Sequence, residues 1–156
     1  MADYLIYWKN FARDCKSNEF ARTEPLADWR TNSQRLHAQL KQGDRFWFIA
    51  AGESCDAALP LGGYLVNAFS VRSVTDNAGD DPEYSPEDFR FTVLAEPDKC
   101  VWFSPPLLAD QIVRPAGHAA DVHIGSLLQG PRKLTDAAVI SLVALISDSD
   151  ASRLGA

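Results

Sequence analysis

The side chains of this chain that could do chemistry fall into two unequal groups. The first holds the common catalysts and metal ligands, and its spacing matches no known arrangement. His37, His118 and His123 have no carboxylate or cysteine at a metal-ligand spacing, and PAGHAADVH lacks the helical HExxH pattern of a zinc protease. Cys15, Cys55 and Cys100 are far apart with no CxxC pair, so they read as buried free thiols. Ser54, Ser70 and Ser104 lack a GxSxG elbow. Gly62-Gly63 precedes a strand, whereas a phosphate-cradling loop opens a helix. The second group is aromatic and polar: Trp8-Lys9-Asn10, and Trp29 followed by Arg30 and Asn32. Polar neighbours on both sides of Trp29 place its ring near the surface. Trp47 sits opposite Phe46 and Phe48 on an alternating strand, and it reads as packing, as does Trp102.

These residues need elements to hold them. DYLIYW at 3–8 has strand character, as do RFWFIAA at 45–51 and GYLVNAFSVRSV at 63–74. FRFTVLAEP at 89–97 alternates as a half-exposed strand, and a further strand from Cys100 breaks at Pro105-Pro106. Asp28 or Thr31 is expected to cap a helix that Trp29 opens and that runs to about Leu40. Residues 52–62 read as a loop, 75–88 as an acidic, turn-rich loop, and 115–124 as small and flexible in composition. Thr135 and Asp136 can cap a closing helix whose apolar stripe is Val139, Leu142, Val143 and Ile146. Pattern alone gives several sequential strands with two or three helices, a mixed barrel with helices around it.

With 156 residues, 46% hydrophobic and 23% charged, the composition fits one globular domain over 1–150, with 151–156 as a disordered tail. No apolar run approaches the roughly 20 residues that span a bilayer. MADYLIYWKNFARD has no basic n-region, so a signal peptide is not expected, and the protein is expected in the cytoplasm without a membrane partner. A net charge of −6 argues against a protein that coats nucleic acid along many phosphates. The charge is uneven, however. Lys9, Arg13, Lys16, Arg22, Arg30, Arg35, Lys41 and Arg45 lie early, and Asp76, Asp80, Asp81, Glu83, Glu87 and Asp88 crowd one later segment.

Four pieces in order carry a family resemblance: YWKN at the end of the first strand, Trp29 with Arg30 and Asn32, LKQGDRFWFIAAG followed by GGYLVNAFSV, and GSLLQGPRKLTDAAVISLVALI. Together they resemble EVE-domain proteins of the PUA-like superfamily, relatives of YTH and ASCH domains. The acidic 75–88 loop and 104–124 match that pattern poorly. The resemblance implies an α+β fold, a PUA-like mixed β-barrel with short helices packed around it. It also implies a reader of one modified nucleobase, flipped from DNA or held in single-stranded nucleic acid, with no cofactor and no chemistry of its own. Partners would be a nucleic acid carrying the modified base and a separate nuclease or modification-system protein. An aromatic wall contributes about 1–3 kcal/mol per stacked base, and flipping a base from a duplex costs a few kcal/mol.

By that resemblance Trp29 corresponds to the pocket tryptophan, its alternative being a lid over the core. Trp8, Lys9 and Asn10 border the pocket. Asn10 offers both donors and acceptors to a base edge, and Lys9 a point charge to phosphate. Asn32, Ser54 and Tyr84 are further base-binding candidates, while Arg30, Arg35, Arg132 and Lys133 are phosphate-binding candidates. For each, packing or plain surface charge is the alternative. A rival reading is a module for a free small molecule or nucleotide, or a protein-interaction adaptor, on the same barrel. A basic rim around Trp29 would favour a polynucleotide, and an acidic rim would not. A hydrolase of the ASCH kind would need Lys, Thr or Ser, and Glu to converge, with Lys9 as the first.

Overall fold

The computed structural model describes residues 1–14, 26, 28–56, 58–114 and 122–155. Six strands form one curled half-barrel sheet in the order β2-β5-β4-β3-β1-β6. They are β1 (Asp3–Tyr7), β2 (Asp28–Thr31), β3 (Arg45–Ala51), β4 (Gly63–Asp76), β5 (Phe91–Leu108) and β6 (Arg132–Lys133). The helices are α1 (Phe11–Asp14), α2 (Gln34–Gln39), α3 (Gly52–Cys55), α4 (Asp110–Val113), α5 (Ile124–Leu127) and α6 (Asp136–Gly155). The architecture is therefore mixed α+β. β1 runs parallel to β3, with Asp3 opposite Arg45 and Tyr7 opposite Ile49. Every other pairing is antiparallel.

Alternation along β1 and β3 divides the apolar residues between two faces. Tyr4, Ile6, Trp8, Phe46 and Phe48 enter one core, joined by Phe11, Leu36, Tyr64, Phe69 and Val93. Leu5, Trp47 and Ile49 enter the other, where Val113, Ile124, Leu128 and Leu142 cover them. Two buried aspartates fasten the start of β1. Asp3 Oδ1 accepts from Arg45 Nε at 2.6 Å and from Trp47 Nε1 at 2.9 Å. Asp44 accepts from the backbone N–H groups of Ala2 and Lys41, both at 2.9 Å. Trp47 is thus a core residue with its one polar atom satisfied, as its position on the strand implied.

The strands expected at 3–8, 45–51 and 63–74 appear within a residue or two of those limits. Four local expectations are corrected. Trp29 does not open a helix: residues 28–31 pair with Leu94 to Phe91 of β5 as an edge strand. Helix α2 starts later, where Ser33 Oγ accepts from Leu36 N at 3.0 Å, and Thr31 Oγ1 accepts from Ser33 N. β5 passes through Pro105-Pro106 instead of breaking there. Its ladder to β4 is interrupted between Leu107 and Trp102, so the prolines remove no sheet hydrogen bond. The loop at 52–62 contains the single turn α3.

The closing helix begins as expected, with Thr135 Oγ1 accepting from Ala138 N at 3.2 Å. Its buried face is turned from the expected stripe. Leu142 is enclosed and Leu145 and Ile146 pack on the core, whereas Val143 is 46% exposed. Backbone helix continues to Gly155, into the segment expected as a tail. Cys55 is buried and Cys100 is a half-buried free thiol, while Cys15 and His118 lie outside the described residues. No helix among the described residues is long and apolar enough to cross a membrane.

Candidate functional site

Where β1 ends, the chain turns into α1, and the edge strand β2 passes beside it. The α5–β6 connection faces them. Between these walls lies a groove of about 580 Å³. Lys9 comes from the β1 exit, and Trp29, Arg30, Thr31 and Asn32 come from β2 and the residue after it. The opposite wall supplies His123, Ser126 and Gln129, while Tyr7 and Phe89 add two more rings.

Trp29 touches both the core and the groove. It is half-buried, with its ring 5.6 Å from Trp8 and 5.1 Å from Phe48, and it also lines the groove. The core therefore fixes the plane of a groove wall. Trp8 itself is corrected to a structural role. It is 4% exposed, packs on Phe11, Phe48, Trp29 and Trp102, and donates Nε1–H to Asp14 Oδ2 at 2.8 Å.

Asp14 also accepts a hydrogen bond from the Tyr84 hydroxyl, which draws the acidic loop onto the β1 exit. Tyr84 is half-buried rather than a free cage wall. Its ring meets Phe89 edge-on at 4.9 Å, and the Arg30 guanidinium lies 5.9 Å from its centroid. The loop is shaped from within by buried Asn77. That amide donates to the carbonyls of Tyr84 and Phe89 at 2.9 and 2.7 Å, and its oxygen accepts from Gly79 N.

The expected phosphate contacts fare differently. Arg30 lines the groove, yet its guanidinium pairs with Asp28 at 3.1 Å and Asp80 at 2.8 Å, and its Nε is buried with no acceptor. Arg132 donates to the carbonyls of Val113 and Leu127 at 2.8 and 2.9 Å, and burial lowers its pKa. It ties the α4 and α5 ends together, which corrects its assignment as a phosphate ligand. Arg35 and Lys133 are exposed and do not line the groove. Neither do Asn10, whose carbonyl accepts from Asp14 N at the start of α1, and Ser54 on α3.

Sequence reading missed His123, Gln129 and Ser126. His123 Nδ1 accepts from Gly125 N at 3.0 Å, so its proton sits on Nε2 and is donated to Glu53 Oε1, also at 3.0 Å. Glu53 is held below the usual carboxylate range, first by its own backbone N–H and then by His123. Tyr7 is raised, first by burial and then by the Glu53 charge. These interactions stiffen the wall that faces Trp29. The one available signal was the GSLLQGPR segment, and it carries no catalytic or ligand spacing of its own.

No protein-family model matches the chain, and no curated protein matches it either. The site therefore rests on its geometry: a fixed indole, two further aromatic side chains, amides at Asn32 and Gln129 on facing walls, and one exposed ammonium. Such a set can hold a flat heteroaromatic ring by stacking and address its edge by hydrogen bonds. Lys9 and Thr31 line the groove, but no glutamate among the described residues does, so the three residues of an ASCH-like hydrolase do not meet there.

Proposed function

We propose that the groove binds a single nucleobase and that the protein recognises this base without transforming it. The observation that carries the reading is the placement of Trp29, anchored on Trp8 and Phe48, beside Lys9 and Asn32 on one groove. The resemblance to EVE-domain proteins supports a modified base as the preferred ligand. Stacking on one indole contributes about 1–3 kcal/mol, and a buried methyl adds about 0.8 kcal/mol.

The test is tryptophan fluorescence titration with nucleosides and short DNA and RNA oligonucleotides, plain or carrying N6-methyladenine or 5-methylcytosine. Saturable binding is expected, weakened ten- to a hundredfold in Trp29→Leu, which keeps apolar contact with Trp8 and Phe48 but removes the stacking plane. Binding unchanged in a folded Trp29→Leu protein sinks the assignment of this groove. A second reading, that the base arrives free rather than in a polymer, is favoured by the neutralised Arg30 and the internally bonded Arg132.

A further inference from the structure

The chain carries 21 Asp and Glu against 15 Lys and Arg, so a surface chosen at random is acidic. The groove is not. Among the described residues no carboxylate lines it. Its charged lining is Lys9 and Arg30, with His123 neutral in the tautomer described above. Asp28 and Asp80 cancel the Arg30 charge from behind. Lys9 is exposed, and no ion pair engages it among the described residues. The groove thus presents one positive charge without an ion pair beside its aromatic wall, while the Glu53 carboxylate stands behind His123 and does not line it.

The surroundings limit how far an anion can extend. Phe89, on one side of the groove, closes the acidic loop, where Glu87 and Asp88 are exposed. A second or third phosphate continuing past this loop meets like charges. Arg35, Arg132 and Lys133, the other expected phosphate contacts, do not line the groove. Polymer binding draws its affinity from several neutralised phosphates, and here there is one candidate.

We infer that the ligand is a free mononucleotide, a nucleoside monophosphate whose base stacks on Trp29 and whose single phosphate pairs with Lys9. This rests on the nucleobase reading above and adds the phosphate and its number. A lone ammonium is a point charge suited to one phosphate, without the bidentate geometry that arginine would impose.

Isothermal titration calorimetry tests it with adenosine, cytidine, guanosine, uridine, N6-methyladenosine and 5-methylcytidine, each alone and as the 5′-monophosphate, and with a single-stranded octanucleotide. The expected result is a monophosphate bound about tenfold or more tightly than its nucleoside. Raising salt from 50 to 200 mM should weaken it only about threefold or less, by screening of a single charge pair, because a mononucleotide has no condensed counterions to release. Lys9→Gln should lower the monophosphate to the affinity of the nucleoside, and Lys41→Gln should change nothing. Equal affinity for nucleoside and monophosphate overturns the phosphate assignment and leaves the nucleobase reading standing. An octanucleotide that binds tighter than every monophosphate, with a salt dependence of several phosphates, also overturns it and returns the polymer. If no nucleoside, monophosphate or oligonucleotide binds, both readings fall together.

Discussion

The two faces of the sheet are built from different residues, and the difference separates the part of the molecule that orients the groove's indole wall from the part that seats the helices. One face is aromatic, with Tyr4, Trp8, Phe11, Phe46, Phe48, Tyr64 and Phe69, and half-buried Trp29 and Trp102 at its margin. The other is mainly aliphatic, with Leu5, Ile49, Leu65, Val113, Ile124, Leu128 and Leu142 beneath the helices. Rings meeting edge-on fix one another's planes, so the aromatic face transmits orientation outward to Trp29. Aliphatic packing is close but has no preferred plane, and it serves to seat α4, α5 and α6. Preorganisation of a stacking wall is thus a property of one face only.

The comparison can be broken at several depths. The largest effect is expected from Leu142→Ala on the aliphatic face. A fully enclosed leucine reduced to alanine should lower unfolding free energy by about 2–5 kcal/mol, measured by denaturant titration. Nucleobase affinity, measured below the transition, should stay within about threefold. Loss of binding in proportion to stability would show that both faces support the groove. Asn77→Ala comes next, on the other side of the division. It removes three hydrogen bonds that shape the acidic loop, at a cost of about 1–3 kcal/mol. Because Phe89 lines the groove and Tyr84 packs on it, this variant should weaken binding as well as stability.

Asp110→Asn is the smallest and sharpens the pH side. Asp110 accepts from Arg114 and from Gly63 N, and chiefly the Arg114 hydrogen bond holds its pKa below the ordinary carboxylate value. A carboxylate with a depressed folded pKa stabilises above its unfolded pKa and loses that contribution as pH falls through the folded value. The variant should therefore melt below the parent at pH 7, and the gap should close as pH falls below about 4. A gap constant with pH would mean that the charge contributes nothing.

The legible parts of the fold are those with local causes. β1, β3 and β4 declare themselves by apolar runs of strand residues between turn signals, and Thr135 announces α6. β2 was not legible. DWRT has no apolar alternation, and its strand conformation comes from Phe91–Leu94, which reach it only after folding. The helical reading of Trp29 failed for that reason. Pro105-Pro106 suggested a stop because proline lacks a donor, while an interruption in pairing needs none. The site was half visible. Lys9, Trp29, Arg30 and Asn32 lie close in sequence and end on one groove. His123, Ser126 and Gln129 carry no spacing signal, and their connection is brought across by the pairing of β6 with β1 together with the burial of Ile124 and Leu128.

The parallel partnership of β1 and β3 has a kinetic consequence. The chain leaves β1 in the interior of the sheet and travels to β2 at the far edge before returning to lay β3 alongside the strand it left. β6, the last strand, then closes on β1, the first. Neither pairing can form as a hairpin, so a long loop must close before any contact rewards it. Assembly is therefore slower than for a meander of equal size, and the aromatic cluster around Trp8 stays exposed until β2, β3 and β5 have come back to cover the end of β1.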